Sequence, residues 1–163
     1  MNRSKILILV GCSYAGKSSF AMGTDSTYVK ISRDDIRNQL FKYTDDDISL
    51  YYTSPGIKEK EDLVTLAQWD LMSSAIYKGF NIVLDNTNLS LSVIKDIFEF
   101  CKFNDTDYEI KIFNVPLDEL IDRCNNSDRV RKVSEEVVRK QYRKFVPLIN
   151  HKEFISLLEN QNI

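Results

Sequence analysis

The chain has 163 residues, a formal net charge of −2, 43% hydrophobic residues and 28% charged ones. That is the make-up of one globular domain with a substantial core, and it excludes a molecule that gathers nucleic acid by overall charge. No apolar run approaches the roughly 18 residues of a membrane span, the first apolar run is too short for a secretory leader, and Cys12, Cys101 and Cys124 fit neither a zinc spacing nor a disulfide framework, which points to a reducing cytoplasm.

Strand-like and helix-like segments alternate from the start of the chain. An aliphatic strand over Lys5–Val10 is followed by a turn and by a helix opening at Lys17. A second strand, Thr27–Ile31, leads into a helix over Arg33–Lys42. Residues Tyr43–Gly56 read as a long polar and aromatic connection. The spacing then predicts a long helix, Lys58–Tyr77, with Leu63, Leu66, Ala67, Asp70, Leu71, Ser74 and Ala75 on its inner face and Gly79 past its end. A strand over Asn81–Asp85 precedes a helix over Leu91–Phe103, whose Val93, Ile94, Ile97, Phe98 and Cys101 share a face. A last strand, Tyr108–Phe113, is followed by helices over Leu117–Cys124 and Ser134–Val146, the latter capped by Ser134 with acids in its first turn. The tail His151–Ile163 reads as a short amphipathic helix, and His151 as a surface residue. With no repeat or linker, residues 1–163 form one α/β domain: a mostly parallel sheet with helices on both faces. Ligands of such sheets gather at the carboxyl ends of the strands.

Four motifs lie at that edge. The first, Gly11-Cys12-Ser13-Tyr14-Ala15-Gly16-Lys17-Ser18, has the GxxxxGK[ST] pattern of a phosphate-binding loop, placed between strand and helix as the pattern requires. Backbone N–H groups of Gly11 to Ser19 would surround the phosphates. Lys17 supplies a point charge, and the Ser18 hydroxyl a ligand for Mg²⁺. Cys12 is a small packing residue there, though one within reach of thiol reagents.

The second motif is Ser32-Arg33-Asp34-Asp35-Ile36-Arg37. Phosphoryl transfer to a hydroxyl needs positioning, charge neutralisation and a group to take the proton. Asp34 is placed to be that base, and Arg37, one turn on, to hold an acceptor phosphate by two prongs. The plainer reading makes Ser32 a helix cap with Asp34 and Asp35 complementing the dipole; both can hold, with Asp35 the more structural. The third motif, Ile82-Val83-Leu84-Asp85-Asn86-Thr87-Asn88, is an apolar strand ending in an acid. Asp85 there either binds Mg²⁺ or orients Ser18, or it begins an ordinary Asx turn. The fourth runs from Arg123 to Lys144, where eight basic residues face three acids. A basic lid over about 125–133 would bring Arg129, or second to it Arg131, to the triphosphate. The charges beyond Ser134 form a solvated face or contact a phosphate backbone.

Taken together, Gly11-Cys12, Gly16-Lys17-Ser18, Arg33-Asp34-Asp35-Ile36-Arg37, Thr87-Asn88-Leu89, Val115-Pro116-Leu117-Asp118-Glu119-Leu120 and Asn126-Ser127-Asp128-Arg129 resemble the kinase domain of bacteriophage 5′-polynucleotide kinase over roughly residues 4–145. The resemblance implies a three-layer P-loop kinase fold with a basic lid, ATP and Mg²⁺ as cofactors, and the 5′-hydroxyl end of DNA or RNA as acceptor. It implies further that Lys17 and Ser18 hold ATP and its metal, and that Asp34 is the general base. Arg37 would grip the acceptor's phosphate, and Arg129 would act on the phosphates from the lid. Asp85, with Thr87 and Asn88, would border the acceptor, although Asn86 is an equal candidate for the acid's position. The setting would be the cytoplasm of a host cell, if the chain is phage-encoded. Three features depart from the family. Ser13-Tyr14-Ala15 replaces a small set of loop residues, with Tyr14 bulky. One extra residue falls between Arg123 and Arg129, and there is no Asp-x-Asp-Gly-Thr phosphatase signature. Other acceptors remain open: a hydroxymethylated base, a free nucleoside or nucleotide, or a sugar nucleotide. The choice would be written in Tyr43–Gly56, Gln68 and Trp69, with Trp69 also a candidate for the core. A nucleotide-gated binding module is the reading in which Asp34 and Arg37 have no task.

Overall fold

The computed structural model describes residues 3–42, 48–128 and 132–161. In chain order the elements are β1 (Lys5–Val10), α1 (Lys17–Met22), β2 (Tyr28–Ile31), α2 (Arg33–Phe41), α3 (Ile48–Thr53), α4 (Ile57–Tyr77), β3 (Asn81–Leu84), α5 (Leu91–Phe103), β4 (Asp107–Ile112), α6 (Leu117–Asn125), α7 (Glu135–Ile149) and α8 (Lys152–Glu159). Among the described residues the strands form one all-parallel sheet in the order β2-β3-β1-β4.

A central parallel strand must be covered on both sides, and the aliphatic run of β1 meets that demand. Ile6, Ile8 and Val10 enter a large core with Val64 and Met72 of α4, Ile94 and Ile97 of α5, Phe145 of α7 and Phe154 of α8. Leu7 and Leu9 turn the other way, onto Ala21 and Phe20 of α1. The result is the expected three-layer α/β architecture, with its layers unequal in thickness. Parallel register pairs Ile8 with Leu84 and Ile31 with Leu84. The chain therefore leaves β1, β2 and β3 side by side, and Gly11, Ser32 and Asp85 emerge at one edge.

Several expectations need correction. Ile48–Thr53 is helical, so part of the supposed 43–56 connection is α3; residues 43–47 lie outside the described residues. The inner face of α4 is Val64, Gln68, Met72 and Ala75, one position on from the expected set, and Leu63, Leu66 and Leu71 are 46%, 61% and 48% exposed. The cause is Gln68, a buried polar residue that an apolar count assigns to solvent. Helix α7 runs through Pro147 to Ile149 instead of stopping at Val146.

The tail packs on the domain. Phe154 is fully buried, the Tyr108 hydroxyl donates to the Leu157 carbonyl at 2.8 Å, and Gln161 Oε1 accepts the Ile110 N–H at 2.7 Å. That last bond occupies a donor on edge strand β4, which would otherwise invite another strand. His151 caps α8, its Nδ1 accepting from the Glu153 N–H at 3.3 Å, and is exposed as expected. No helix among the described residues is long and apolar enough to cross a membrane.

Candidate active site

The phosphate loop is built around its two glycines. Gly11 lies so close to Phe113 that an added Cβ would meet both its Cβ and its carbonyl at 3.0 Å. Gly16 has φ 96°, which glycine adopts without strain. Between them Tyr14 has φ 64°, a conformation costly for any residue with a Cβ. Its surroundings hold it there. The Tyr14 hydroxyl donates to the Val133 carbonyl at 3.1 Å and accepts the Val133 N–H at 3.0 Å. The Tyr14 carbonyl accepts from Arg123 Nη1 at 3.0 Å, and the neighbouring Ser13 N–H donates to Gln141 Oε1 at 2.7 Å. The bulk of Tyr14 is thus a tie between the loop and the segments around α6 and α7.

Lys17 is buried, and its Nζ donates to the Cys12 carbonyl at 2.6 Å, which curls the side chain back over its own loop. Cys12 is 1% exposed, and burial pushes its thiol up to about 11 against the pull of Lys17. The access to thiol reagents expected of it is overturned. In native protein at pH 8, Cys12 is expected to alkylate with iodoacetamide at least about a hundredfold more slowly than an open thiol. A mass-spectrometric time course checks this, with Cys12 labelled only on unfolding.

At the second motif the helix-cap reading is met. Ser32 Oγ caps α2, accepting the Asp35 N–H at 3.4 Å, and Asp35 pairs with Lys30 at 2.6 Å. Asp34 instead faces the cleft, half-exposed, and its Oδ1 accepts from Arg37 Nη1 at 2.8 Å. The partner that sequence reasoning missed is Glu61 on α4. Its Oε1 accepts from Arg37 Nε at 2.7 Å and from the Tyr51 hydroxyl at 2.8 Å; its Oε2 accepts from Arg37 Nη2 at 2.8 Å and Arg33 Nη2 at 3.0 Å. Burial alone would raise the Glu61 carboxyl, but the hydrogen bonds from Arg37, Tyr51 and Arg33 overcome it and hold the group down at about 2. The two-pronged contact expected of Arg37 is therefore made to Glu61. One N–H on each terminal nitrogen of Arg37 is left over among the described contacts. The only trace of Glu61 in the sequence is a charged residue four positions into a helix, 24 residues from its partner.

At the end of β3 the two candidate residues separate. Asn86 is spent on structure: Oδ1 accepts the Arg33 N–H at 2.8 Å, and Nδ2 donates to Gln68 at 3.1 Å. Asp85 is 9% exposed; its N–H donates to the Ile31 carbonyl at 2.9 Å, and its carboxylate has no hydrogen bond or ion pair to a described residue. Thr87 accepts the Gly11 N–H on its carbonyl at 3.1 Å, and Asn88, at φ 49°, donates from Nδ2 to the Leu9 carbonyl at 2.8 Å. These bonds splice the β3 loop to the start of the phosphate loop.

The elements enclose a cleft of about 670 Å³. Ser13 of the phosphate loop lines it, as do Arg33, Asp34, Arg37 and Tyr52, the stretch Asn86–Ser90 with Val93, and Lys132, Val137, Gln141 and Lys144. Gln68 reaches this site only through Asn86, while Trp69 packs on Phe100 with ring centroids 5.2 Å apart and belongs to the core. On α7, Arg139 and Lys140 pair with Glu135 and Glu136 one turn back, which is the solvated-face reading; Lys144 turns into the cleft instead. Arg129 and Arg131 lie outside the described residues. Among the described residues no cluster of three or more acids, cysteines or histidines is present to hold a metal unaided.

A parallel sheet with helices on both faces and a GxxxxGKS loop after its central strand defines the P-loop kinase-like architecture. The chain belongs to the AAA domain family, whose model matches residues 6–148. It is 25% identical over 154 residues to a protein of Autographa californica nuclear polyhedrosis virus that carries the provisional name bifunctional polynucleotide kinase/RNA ligase, covering 93% of this chain and 22% of that protein. It is 28% identical over 141 residues to L-seryl-tRNA(Sec) kinase of Methanococcus maripaludis, covering 86% of this chain and 52% of the relative. The chain thus spans about a fifth of one relative and half of the other. In fold it is similar to a chain in the structure of the Pnkp1/Rnl/Hen1 RNA repair complex, with a TM-score of 0.75 at 24% identity over all of this chain and 49% of that one.

Proposed function

We propose that this domain transfers the γ-phosphoryl group of ATP to the 5′-hydroxyl end of DNA or RNA. The observation that carries the reading is that Asp34 and the phosphate-loop residue Ser13 line the same cleft. A donor held by Gly11–Ser19 and an acceptor placed against Asp34 would meet there. The names of the two relatives, a polynucleotide kinase and a kinase of a charged transfer RNA, support a nucleic-acid acceptor.

Asp34 takes the proton of the acceptor hydroxyl as that oxygen bonds to the γ-phosphorus. The bond from the γ-phosphorus to the β,γ-bridging oxygen breaks, and ADP leaves. Lys17 swings from the Cys12 carbonyl to the phosphates, where its charge offsets theirs. Arg37, braced by Glu61, orients Asp34 and keeps its two remaining N–H groups for a phosphate of the acceptor. Thr87 and Asn88 border the acceptor. An unpartnered buried carboxylate is costly unless a cation joins it, and Asp85 is such a group. With Ser18 it would hold Mg²⁺, which supplies charge neutralisation at the phosphates.

The test supplies γ-labelled ATP and Mg²⁺ with three acceptors: a 5′-hydroxyl oligonucleotide, a duplex containing 5-hydroxymethyluracil, and mononucleosides. Label is expected on the oligonucleotide end. Label on the hydroxymethyl group or the free nucleoside alone would move the domain to those acceptors, and ATP binding without transfer would make it a nucleotide-gated module.

A further inference from the structure

Resting on that reading of the cleft, we propose that Tyr52 is the platform on which the terminal base of the acceptor stacks. The acceptor is then the unpaired 5′ end of a polynucleotide, gripped by its base as well as by its hydroxyl. Tyr52 stands on α3 and lines the cleft beside Asp34 and Arg37, with 47% of its surface exposed. Its ring is held from behind. The Arg37 guanidinium lies 5.7 Å from the ring centroid, and Tyr51 meets it nearly perpendicular, with centroids 5.3 Å apart. Tyr51 is itself 4% exposed and anchored by its hydroxyl on Glu61. An aromatic ring fixed by buried neighbours loses little freedom when a planar ligand settles on it.

The rest of the cleft fits the same ligand. Val93 and Val137 add apolar surface that a bare hydroxyl or a phosphate has no use for. The charges are arranged for a chain of phosphates. Arg33 and Arg37 are matched by Glu61 and Asp34, whereas Lys132 and Lys144 are in no ion pair among the described residues. The surplus positive charge of the cleft therefore lies with those two lysines. A stacking ring together with unmatched cations is how single strands are held without reading sequence. A base-paired terminus keeps its base on its own neighbour and has to fray before it can use Tyr52.

The experiment measures kcat/KM for two single-stranded 5′-hydroxyl oligonucleotides that differ only in the first residue, one with a base and one abasic. Wild-type protein is compared with Tyr52→Phe and Tyr52→Ala. The wild type is expected to prefer the base-bearing end by about ten- to a hundredfold, the range of one aromatic stacking contact. Tyr52→Phe should keep that preference. Tyr52→Ala should bring the ratio to about one, whatever it does to the rates in common. A ratio unchanged by Tyr52→Ala, or a wild type indifferent to the base, overturns the proposal and leaves the kinase reading standing. A wild type that labels neither oligonucleotide overturns the kinase reading, and the platform with it.

Discussion

Asp34→Asn is expected to slow phosphoryl transfer by about 10²- to 10⁴-fold, the range that a positioned general base contributes. It should leave ATP affinity nearly unchanged, because Asp34 stands on α2, across the cleft from the phosphate loop, and hydrogen-bonds Arg37. The substitution is close to isosteric. The asparagine oxygen can still accept from Arg37 Nη1, so α2 and its cap remain as they are. Single-turnover transfer to a 5′-hydroxyl oligonucleotide reads the chemical step, and equilibrium titration with ATP reads the donor side. Parallel loss of both would make Asp34 a structural residue of the α2 terminus.

Glu61→Gln should act on stability and on catalysis together. The sign follows from the direction of its shift. The folded-state carboxyl lies near 2, against an ordinary 4.5, so its ion pairs stabilise the fold above the unfolded value. That contribution fades as pH falls from about 4.5 toward 2. The shift corresponds to an upper bound of about 3 kcal/mol, nearer 2 kcal/mol once partial exposure is allowed for. The variant is therefore expected to be less stable than wild type at pH 7 by about 2 kcal/mol, with the gap narrowing steadily below pH 4.5. Urea unfolding of both proteins across that range checks it. A gap that does not change with pH would assign the loss to packing and not to charge. Transfer should also slow by about tenfold or more, since Arg37 would lose the brace that aims it at Asp34.

What could be read without coordinates was whatever the chain states locally. The strand β1 and the helix Leu91–Phe103 fall where expected, because an aliphatic run and an apolar face are visible within a short window. So is the loop from Gly11 to Ser18, whose residue pattern is complete within eight positions. What escaped depends on residues distant in sequence. Gln68 is buried because Asn86 needs it, 18 positions away, and that turned the inner face of α4 by one residue. Glu61 is a hub only because Arg33, Arg37 and Tyr51 converge on it. The composition of the aromatic stretch after Tyr43 makes it a place where acceptor choice could be written. That it forms a short helix with Tyr51 turned inward and Tyr52 turned to the cleft follows from packing, not from its composition.

Tyr14 has a consequence for the order in which the domain comes into being. The eight motif residues are complete in the chain at Ser18, yet their conformation is not. A left-handed tyrosine costs about 1–2 kcal/mol, and two hydrogen bonds of about 1 kcal/mol each to Val133 offset that cost. The offsetting residue is made 119 positions later. A growing chain on the ribosome therefore carries its whole nucleotide motif while the residues up to Val133 are added, before it has the residue that sets the motif's shape. The phosphate loop, first to be read in the sequence, is finished only once Val133 has been made.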